Sequence, residues 1–318
     1  MSLCIRTNII ADIQALQTKT GITIRQLLQY AGISLSTWYD WIKRADVETN
    51  HNSNIPRMHW LTPAETQAII SFCTEHQDLL VGYRYLTWLM IDQNIVFASP
   101  STVYNVMKKN DMIRKWAQPI PEEKRKGFVQ PLGINEQWHT DISYVKVSHV
   151  FYYFISLLDG FSRKILVWNL CDSMEGLHTE LLVLQAKELY PEAHARIIHD
   201  NGKQYVSKDF IELIGMLELY ETATSPAHPQ SNGKLERFHR TFKTEHVRTT
   251  AYCSYEDAVN KIKKWVLFYN QERLHSAVHY LTPNEVFDGQ MEKRVAERKE
   301  KLHTALNDRQ KYWSLTIP

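Results

Sequence analysis

Three acidic residues admit a chemical reading before any fold is assigned. Asp141 lies in Trp138-His139-Thr140-Asp141-Ile142, inside an alternating run; Asp200 closes Arg196-Ile197-Ile198-His199 and is followed by Asn201-Gly202; Glu236 stands near the start of a helical pattern. Singly, each has an ordinary explanation. A mid-strand Asp can sit on a half-covered face, Asp-Asn-Gly makes a turn at a strand end, and Glu236 with Arg240 forms a surface pair of small energetic weight. Jointly they match the needs of two-metal phosphoryl transfer, in which several carboxylates hold hard cations about 3.5–4 Å apart. One ion would activate water or a DNA 3′-hydroxyl, the other would stabilise the leaving oxygen, and both would offset charge on the scissile phosphate. Asp141, Asp200 and Glu236 are therefore the candidate catalytic and metal-binding residues, with two Mg2+ ions as the expected cofactor and Mn2+ as a substitute.

These acids need rigid elements to bring them together. Periodicity predicts three antiparallel strands at 138–147, 150–158 and 164–170, the middle one apolar on both faces and so covered on both sides. Because strand neighbours alternate, Asp141 should face away from Ile142. A helix follows at 174–190 with Leu177, Leu181 and Leu184 on one stripe, then a short strand at 196–199, a helix at 208–216 and a strand at 219–222. The result is a mixed α/β layer fold. A turn-rich loop from Ser225 to Gly233 precedes helices at 233–248 and 254–272. In the first of these Leu235, Phe238 and Phe242 form an apolar stripe, while Glu236, His239, Arg240 and Lys243 share the other side.

Upstream, two helices at 23–31 and 34–44 flank a tight turn at Gly32. Leu27, Leu28, Ala31, Ile33, Leu35, Trp38 and Ile42 can close a small core, leaving Ser36, Thr37, Asp40 and Lys43 for a DNA groove; a helical hairpin without a DNA role is the alternative. The polar stretch 46–54 reads as a linker. A second helical unit begins with the capping box Thr62-Pro63-Ala64-Glu65, continues through 83–92, and repeats the cap-plus-Pro signal at Ser99-Pro100. From Lys108 to Lys126 seven basic side chains face three acids, with Pro119, Pro121 and Pro131 nearby. Such a segment can follow a phosphate backbone or serve as a solvated link. No internal repeat is evident.

Bulk properties narrow the classes. The 318 residues are 44% hydrophobic and 23% charged with a formal net charge of +2, so any nucleic-acid footprint must be local. Cys4, Cys73, Cys171 and Cys253 are too dispersed for a zinc module or a disulfide framework. No run is apolar and long enough to span a bilayer and no cleavable leader is apparent, which points to a cytoplasmic, nucleoid-associated protein.

With these motifs in hand the chain resembles bacterial insertion-sequence transposases that carry a retroviral-integrase-type catalytic core. The resemblance covers roughly residues 83 to 287 and rests on the Trp138–Ile142 motif, on His199-Asp200-Asn201-Gly202, and on Pro229-Gln230-Ser231-Asn232-Gly233-Lys234-Leu235-Glu236-Arg237-Phe238. Between Asp200 and Glu236 lie 35 residues, the family's interval between its second and third acids, and Lys243 follows Glu236 by seven, where the family places a basic residue. Tyr269-Asn270-Gln271-Glu272-Arg273-Leu274-His275 and Leu281-Thr282-Pro283-Asn284-Glu285 resemble its tail; Val81-Gly82-Tyr83-Arg84 and Thr102-Val103-Tyr104 resemble its upstream DNA-binding domain.

The resemblance implies an RNase H-like mixed five-stranded sheet flanked by helices, preceded by two small all-helical helix-turn-helix-type domains. Expected divisions are residues 1–46 and 60–114 for the DNA-binding domains, 47–59 and 115–135 for linkers, 136–288 for the catalytic core and 289–318 for a mostly solvated helical tail. It further implies binding to terminal inverted repeats, cleavage and joining of double-stranded DNA, and a homodimer or higher oligomer. Candidate DNA contacts are Lys243, Arg240, His239, Asn201, Lys203, Ser36, Thr37, Lys43 and Arg84. Two departures stand out: the polar stretch 46–54 replaces the leucine zipper that many members carry, and no His/Cys zinc module is present. Competing readings are a domesticated DNA-binding protein with a dormant core and a nuclease of the same fold that hydrolyses without joining.

Overall fold

The computed structural model describes residues 3–43, 56–77, 79, 81–113, 130–200, 202, 204–223 and 233–316. Asn201, Lys203, the 224–232 loop and the basic segment from 114 to 129 lie outside them. The chain divides into two compact units, residues 1–60 with 309–318, and residues 61–308.

In the first unit α1 (Leu3–Thr20), α2 (Ile24–Tyr30) and α3 (Leu35–Lys43) pack around Ile13, Leu28 and Trp38, with Ile9, Ile10, Ile24, Leu27 and Ile33 at the margin. Gly32 takes φ +68°, a left-handed conformation that glycine adopts without strain, and the Ile33 amide reaches back to the Leu28 carbonyl at 2.9 Å to end α2. Leu35 and Ile42, expected in this core, are instead 38% and 41% exposed, and Ala31 is exposed too. Helix α1 supplies Ile13 to the small core they were expected to fill.

The second unit opens with α4 (Pro63–Glu75), α5 (Tyr83–Asp92) and α6 (Pro100–Lys109), closed over Ile69, Phe72, Leu86, Met90, Val103 and Met107. Thr62 and Glu65 form the reciprocal capping box, with Thr62 N donating to Glu65 Oε2 at 2.8 Å and Glu65 N to Thr62 Oγ1 at 3.2 Å.

A five-stranded mixed sheet follows: β1 (Gln137–Val147), β2 (Val150–Asp159), β3 (Ile165–Cys171), β4 (Arg196–His199) and β5 (Tyr220–Ala223), in the order β3-β2-β1-β4-β5. The first three strands are antiparallel neighbours, and β4 and β5 run parallel to β1. From Phe154 to Asp159 strand β2 is buried on both faces, as its apolar run predicts, while Val150 and Phe151 at its start are exposed. Ile155 and Leu157 join Trp138 under α7 (Gly176–Leu189) and α8 (Lys208–Met216), while Phe154 and Leu158 join Val145 under α9 (Gly233–Phe242) and α10 (Tyr255–Gln271). The expected layered α/β architecture is therefore present.

One helical stripe was misjudged. Leu177, Leu181 and Leu184 are 56%, 43% and 39% exposed, whereas Thr179, Leu182, Val183 and Ala186 face the sheet. Both stripes have helical spacing. The smaller Thr179 and Ala186 suit the face laid closely on β2 and β3.

After α11 (Pro283–Phe287), the last helix α12 (Met291–Thr316) is less solvated than its composition suggests. Arg298, 2% exposed, donates from Nε to Asp92 Oδ1 at 2.9 Å and from its other nitrogens to the carbonyls of His279 and Tyr280 at 2.8 and 2.7 Å. Its guanidinium also lies 4.9 Å from the Trp88 ring centre. A buried charge is tolerated because its donors are matched by acceptors, and this one ties α12 to α5 and to the 279–280 turn. Among the described residues no helix is long and apolar enough to cross a membrane.

Candidate active site

Alternation along β1 sends Thr140 and Asp141 to opposite faces. Thr140 Oγ1 meets the Tyr205 hydroxyl at 3.2 Å on the α8 side, while Asp141 Oδ2 lies 3.3 Å from His239 Nε2 on the α9 side. Ile142 packs with Trp138 on the first face, so Asp141 points away from it as expected. Asp141 Oδ1 accepts from the Ile142 amide at 2.8 Å.

The parallel ladder pairs Trp138 with Ile197 and His139 with Ile198. Continued two residues, that register sets Asp141 beside Asp200 across one inter-strand spacing of about 4.8 Å. Carboxyl ends of parallel strands are where open α/β sheets collect ligands. His199 fixes the strand end: it is 1% exposed, its Nδ1 contacts the Asp200 carbonyl at 2.6 Å, and its ring stacks on Tyr205 at 4.7 Å. Asp200 Oδ1 accepts from the Gly202 amide at 3.0 Å. Tyr205 is fully buried, and burial holds its hydroxyl well above the usual tyrosine range, with the nearby charges of Asp141 and Asp200 adding to the shift.

Glu236 comes from the first turn of α9, whose amphipathic pattern buries Leu235, Phe238 and Phe242 against the sheet and α10. Phe242 is fully buried, 4.4 Å from the Phe154 ring and 4.9 Å from Trp265. His239, one turn after Glu236, is only 7% exposed. It was expected on a DNA-facing surface; its approach to Asp141 is instead the contact by which α9 meets β1. Neither ring nitrogen has a hydrogen-bond partner of good geometry, so the 3.3 Å contact is a close approach of charge and imidazole, not an aligned bond.

Beyond Phe242 the helix widens into a π turn, Lys243–Val247, in which the Arg248 amide reaches the Lys243 carbonyl at 3.0 Å. Such turns recur at functional positions. Within this one Glu245 pairs with Arg273 through two 2.7 Å hydrogen bonds, and Arg273 Nη1 lies 2.9 Å from His275 Nε2. Lys243 is half-buried at the start of the turn and Arg240 is exposed.

A cationic buttress lies behind the start of α9. Lys234 Nζ donates to the Gly160 carbonyl at 3.1 Å, and burial with neighbouring Arg163 pulls its pKa down to about 7. Gly160 has no room for a side chain, since a Cβ there would come within 2.9 Å of His139 Nε2 and 3.0 Å of the Gln137 carbonyl. Burial, then Lys234 and Arg163, lower the His139 pKa to about 3, so this imidazole is neutral at pH 7. His139, Thr140, His199 and Lys234 lie within the motifs quoted from the sequence but were given no role there, and no periodicity marks Tyr205.

The carboxylates suit a hard divalent cation in kind, offering oxygen donors alone. Among the described residues, no three His, Cys, Asp or Glu side chains stand together in a group that could hold one ion. What the fold assembles is the strand pair Asp141 and Asp200, with α9 docked beside Asp141. Of the other candidate contacts, Ser36 and Lys43 are exposed on α3, Thr37 is half-buried with its Oγ1 2.6 Å from Ser34 Oγ, and exposed Arg84 donates to the Tyr83 hydroxyl at 3.2 Å.

Comparison with known proteins places the same region. Residues 132–229 and 221–283 match two family profiles, each described as "Integrase core domain". The chain is 30% identical over 136 residues to an insertion element IS136 protein of Agrobacterium fabrum, covering 41% of this chain and 70% of that protein. It is 27% identical over 154 residues to the transposase for insertion sequence element IS904 of Lactococcus lactis, covering 48% of this chain and 60% of the relative's own length. An insertion element IS600 protein of Shigella sonnei is 23% identical across 81% of this chain and 96% of its own. Among solved structures, the HTLV-2 integrase catalytic core domain in complex with magnesium aligns over 49% of this chain and 98% of its own at 21% identity, with a TM-score of 0.40.

Proposed function

Because the chain belongs to the insertion-sequence transposases that carry an integrase core domain, we propose that it binds the terminal inverted repeats of a mobile element and cuts and joins DNA strands there. The carrying observation is that Asp141, within β1, lies on the strand next to β4, which ends just before Asp200, with the Glu236-bearing helix docked on Asp141 through His239. Asp141, Asp200 and Glu236 would hold the divalent ions, magnesium or manganese, which when bound would supply Lewis-acid activation of the attacking hydroxyl and neutralise charge on the leaving oxygen.

The protein's own side chains do the positioning. Tyr205 and His199 keep the Asp200 turn in place, and His239 sets α9 against Asp141. Lys243, seven residues beyond Glu236 at the start of the π turn, and exposed Arg240 engage the phosphates of the DNA end, with Asn201 and Lys203 next to Asp200 in sequence contributing. Ser36, Thr37 and Lys43 on α3 and Arg84 on α5 hold the duplex, as double-stranded element ends and target DNA are brought together by a homodimer or higher oligomer.

The test is strand joining in magnesium with a labelled 3′-hydroxyl element end. Asp200→Asn and Glu236→Gln should each lower joining by at least about 1,000-fold, the scale of losing a preorganised charge in a catalytic site, with end binding retained. Undiminished joining by either variant would remove the catalytic assignment. Hydrolysis without joining by the unmodified chain would indicate a nuclease instead.

A further inference from the structure

Two kinds of energetic cost meet at one place outside the candidate active site. His279 and Tyr280 are consecutive residues with φ +56° and +55°, a left-handed backbone that side chains other than glycine rarely adopt. Both present their carbonyls to the guanidinium of Arg298, which is almost fully buried. Strain of this kind, and a charge taken out of water, persist only where the surroundings hold them in place. A well-packed apolar contact would join the same elements at equal or lower cost. Stability alone therefore does not account for the arrangement.

What the guanidinium supplies is a fixed geometry. Its planar fork reaches Asp92 at the end of α5 with Nε and Nη2, the His279 carbonyl with Nη1 and the Tyr280 carbonyl with Nη2, so that its orientation is defined from two sides. Asp92 also meets Arg294 at 3.2 Å, and Lys301 donates to the Ile91 carbonyl at 3.2 Å. Arg294, Arg298 and Lys301 follow one face of α12 at intervals of four and three. All three close on the C-terminal end of α5, where the helix dipole favours cations.

From this junction, contacts lead to the helical module and to the catalytic helix. Along α5, Trp88 stacks on Tyr280 with ring centres 6.5 Å apart, and half-buried Tyr85 lies at the Leu274 backbone near the charges of Arg273 and Glu245. From the strained turn, the Tyr280 amide donates to the His275 carbonyl at 2.8 Å and His275 Nε2 lies 2.9 Å from Arg273 Nη1. Arg273 in turn holds Glu245 within the π turn that begins at Lys243. A continuous run of polar contacts thus connects Arg298 to the end of α9.

We propose that Arg298 is a positioning residue for strand joining. By fixing Asp92 and the 279–280 turn together, it sets the α4–α6 module and the Lys243 turn in one register, so that a duplex held by the module meets the carboxylates correctly placed. This rests on the transposase reading. Arg298 itself touches neither DNA nor metal in this role; it acts through Arg273 and Glu245.

The test pairs amide exchange with single-turnover joining of a labelled element end in magnesium, using the full chain. Arg298→Ala should speed exchange at the end of α5, through residues 273–281 and in the 243–247 turn, with β1 and β4 unchanged. End affinity should be retained while the joining rate falls by roughly 10- to 100-fold, the scale of a small misplacement of reacting groups. Arg298→Lys keeps the charge but loses the fork; it should fall between the two and decides the outcome if the alanine variant does not fold. Ile69→Ala opens a cavity in the module's own core and controls for lost stability: below its unfolding midpoint it should join at the unmodified rate. If the Arg298 variants join at the unmodified rate, if faster exchange stops short of the 243–247 turn, or if Ile69→Ala slows joining as much, Arg298 is a fold tie alone and the proposal falls while the transposase reading stands. If the unmodified chain joins no ends, the transposase reading fails and takes the proposal with it.

Discussion

The two halves of the candidate site have unlike foundations. Asp141 and Asp200 stand on paired strands, with Tyr205, His199 and Thr140 packed or bonded beneath them. Glu236 rides on one helix, held by the His239 approach to Asp141, the Phe242 stack, and the ion pair of the π turn with Arg273. Strand ladders place a residue through many backbone bonds formed together, whereas the helix is placed by side-chain packing, chiefly of Leu235, Phe238 and Phe242. The second kind of support opens at lower free energy. The strand half is thus the fixed part of the site and the helix half the adjustable part, with amide exchange expected to be faster in α9 than in β1 and β4.

Phe242→Ala should have the largest effect, costing about 3–5 kcal/mol as a fully buried aromatic truncation. Denaturant unfolding would measure it, and exchange should rise first in α9 and α10. Equal loosening of β1 and β4 would break the contrast between the halves.

Acidification should come next. Burial, with Arg273, Arg163 and Arg237, lowers the His275 pKa to about 3, and burial with Lys261 lowers that of His246 to about 4, against an ordinary 6.5. Between pH 6.5 and these values the unfolded chain binds more protons, so stability is complete above pH 6.5 and is lost as pH falls through that interval. Both imidazoles belong to the helix half. Unfolding midpoints that do not move between pH 7 and pH 4 would contradict this.

Arg273→Ala leaves Glu245 without its bidentate partner. With the Glu245 side chain 36% exposed, solvent screening limits the cost to about 1–2 kcal/mol. Joining should fall more than DNA binding, because the π turn presents Lys243. Smallest is Tyr205→Phe, which removes the hydroxyl contact to Thr140 and should cost about 1 kcal/mol with little change in joining rate. A larger catalytic loss for Tyr205→Phe than for Arg273→Ala would reverse the assignment of fixed and adjustable halves.

Much of this site is legible in residue order. The alternation through β1 predicted the face of Asp141, and the apolar run of β2 predicted helices on both sides, because burial periodicity follows directly from backbone geometry. Other features are not. Two stripes on α7 have equal helical spacing, and only docking on the sheet selects Thr179, Leu182, Val183 and Ala186 over Leu177, Leu181 and Leu184. His239 reads as part of a basic helix face until β1 is placed beside it. Arg298 reads as a solvated residue until Asp92 and two carbonyls, distant in sequence, surround it.

Sequence alone determined the element types and singled out the three acids with their 35-residue interval, since these depend on local periodicity and spacing. Tertiary structure decided which side chains support the acids: Tyr205 beneath Asp141 and Asp200, Lys234 on the Gly160 carbonyl, and Glu245 turned to Arg273. Those contacts join residues far apart along the chain. Their energy comes from burial and matched polar groups that exist only once the sheet and its covering helices are packed.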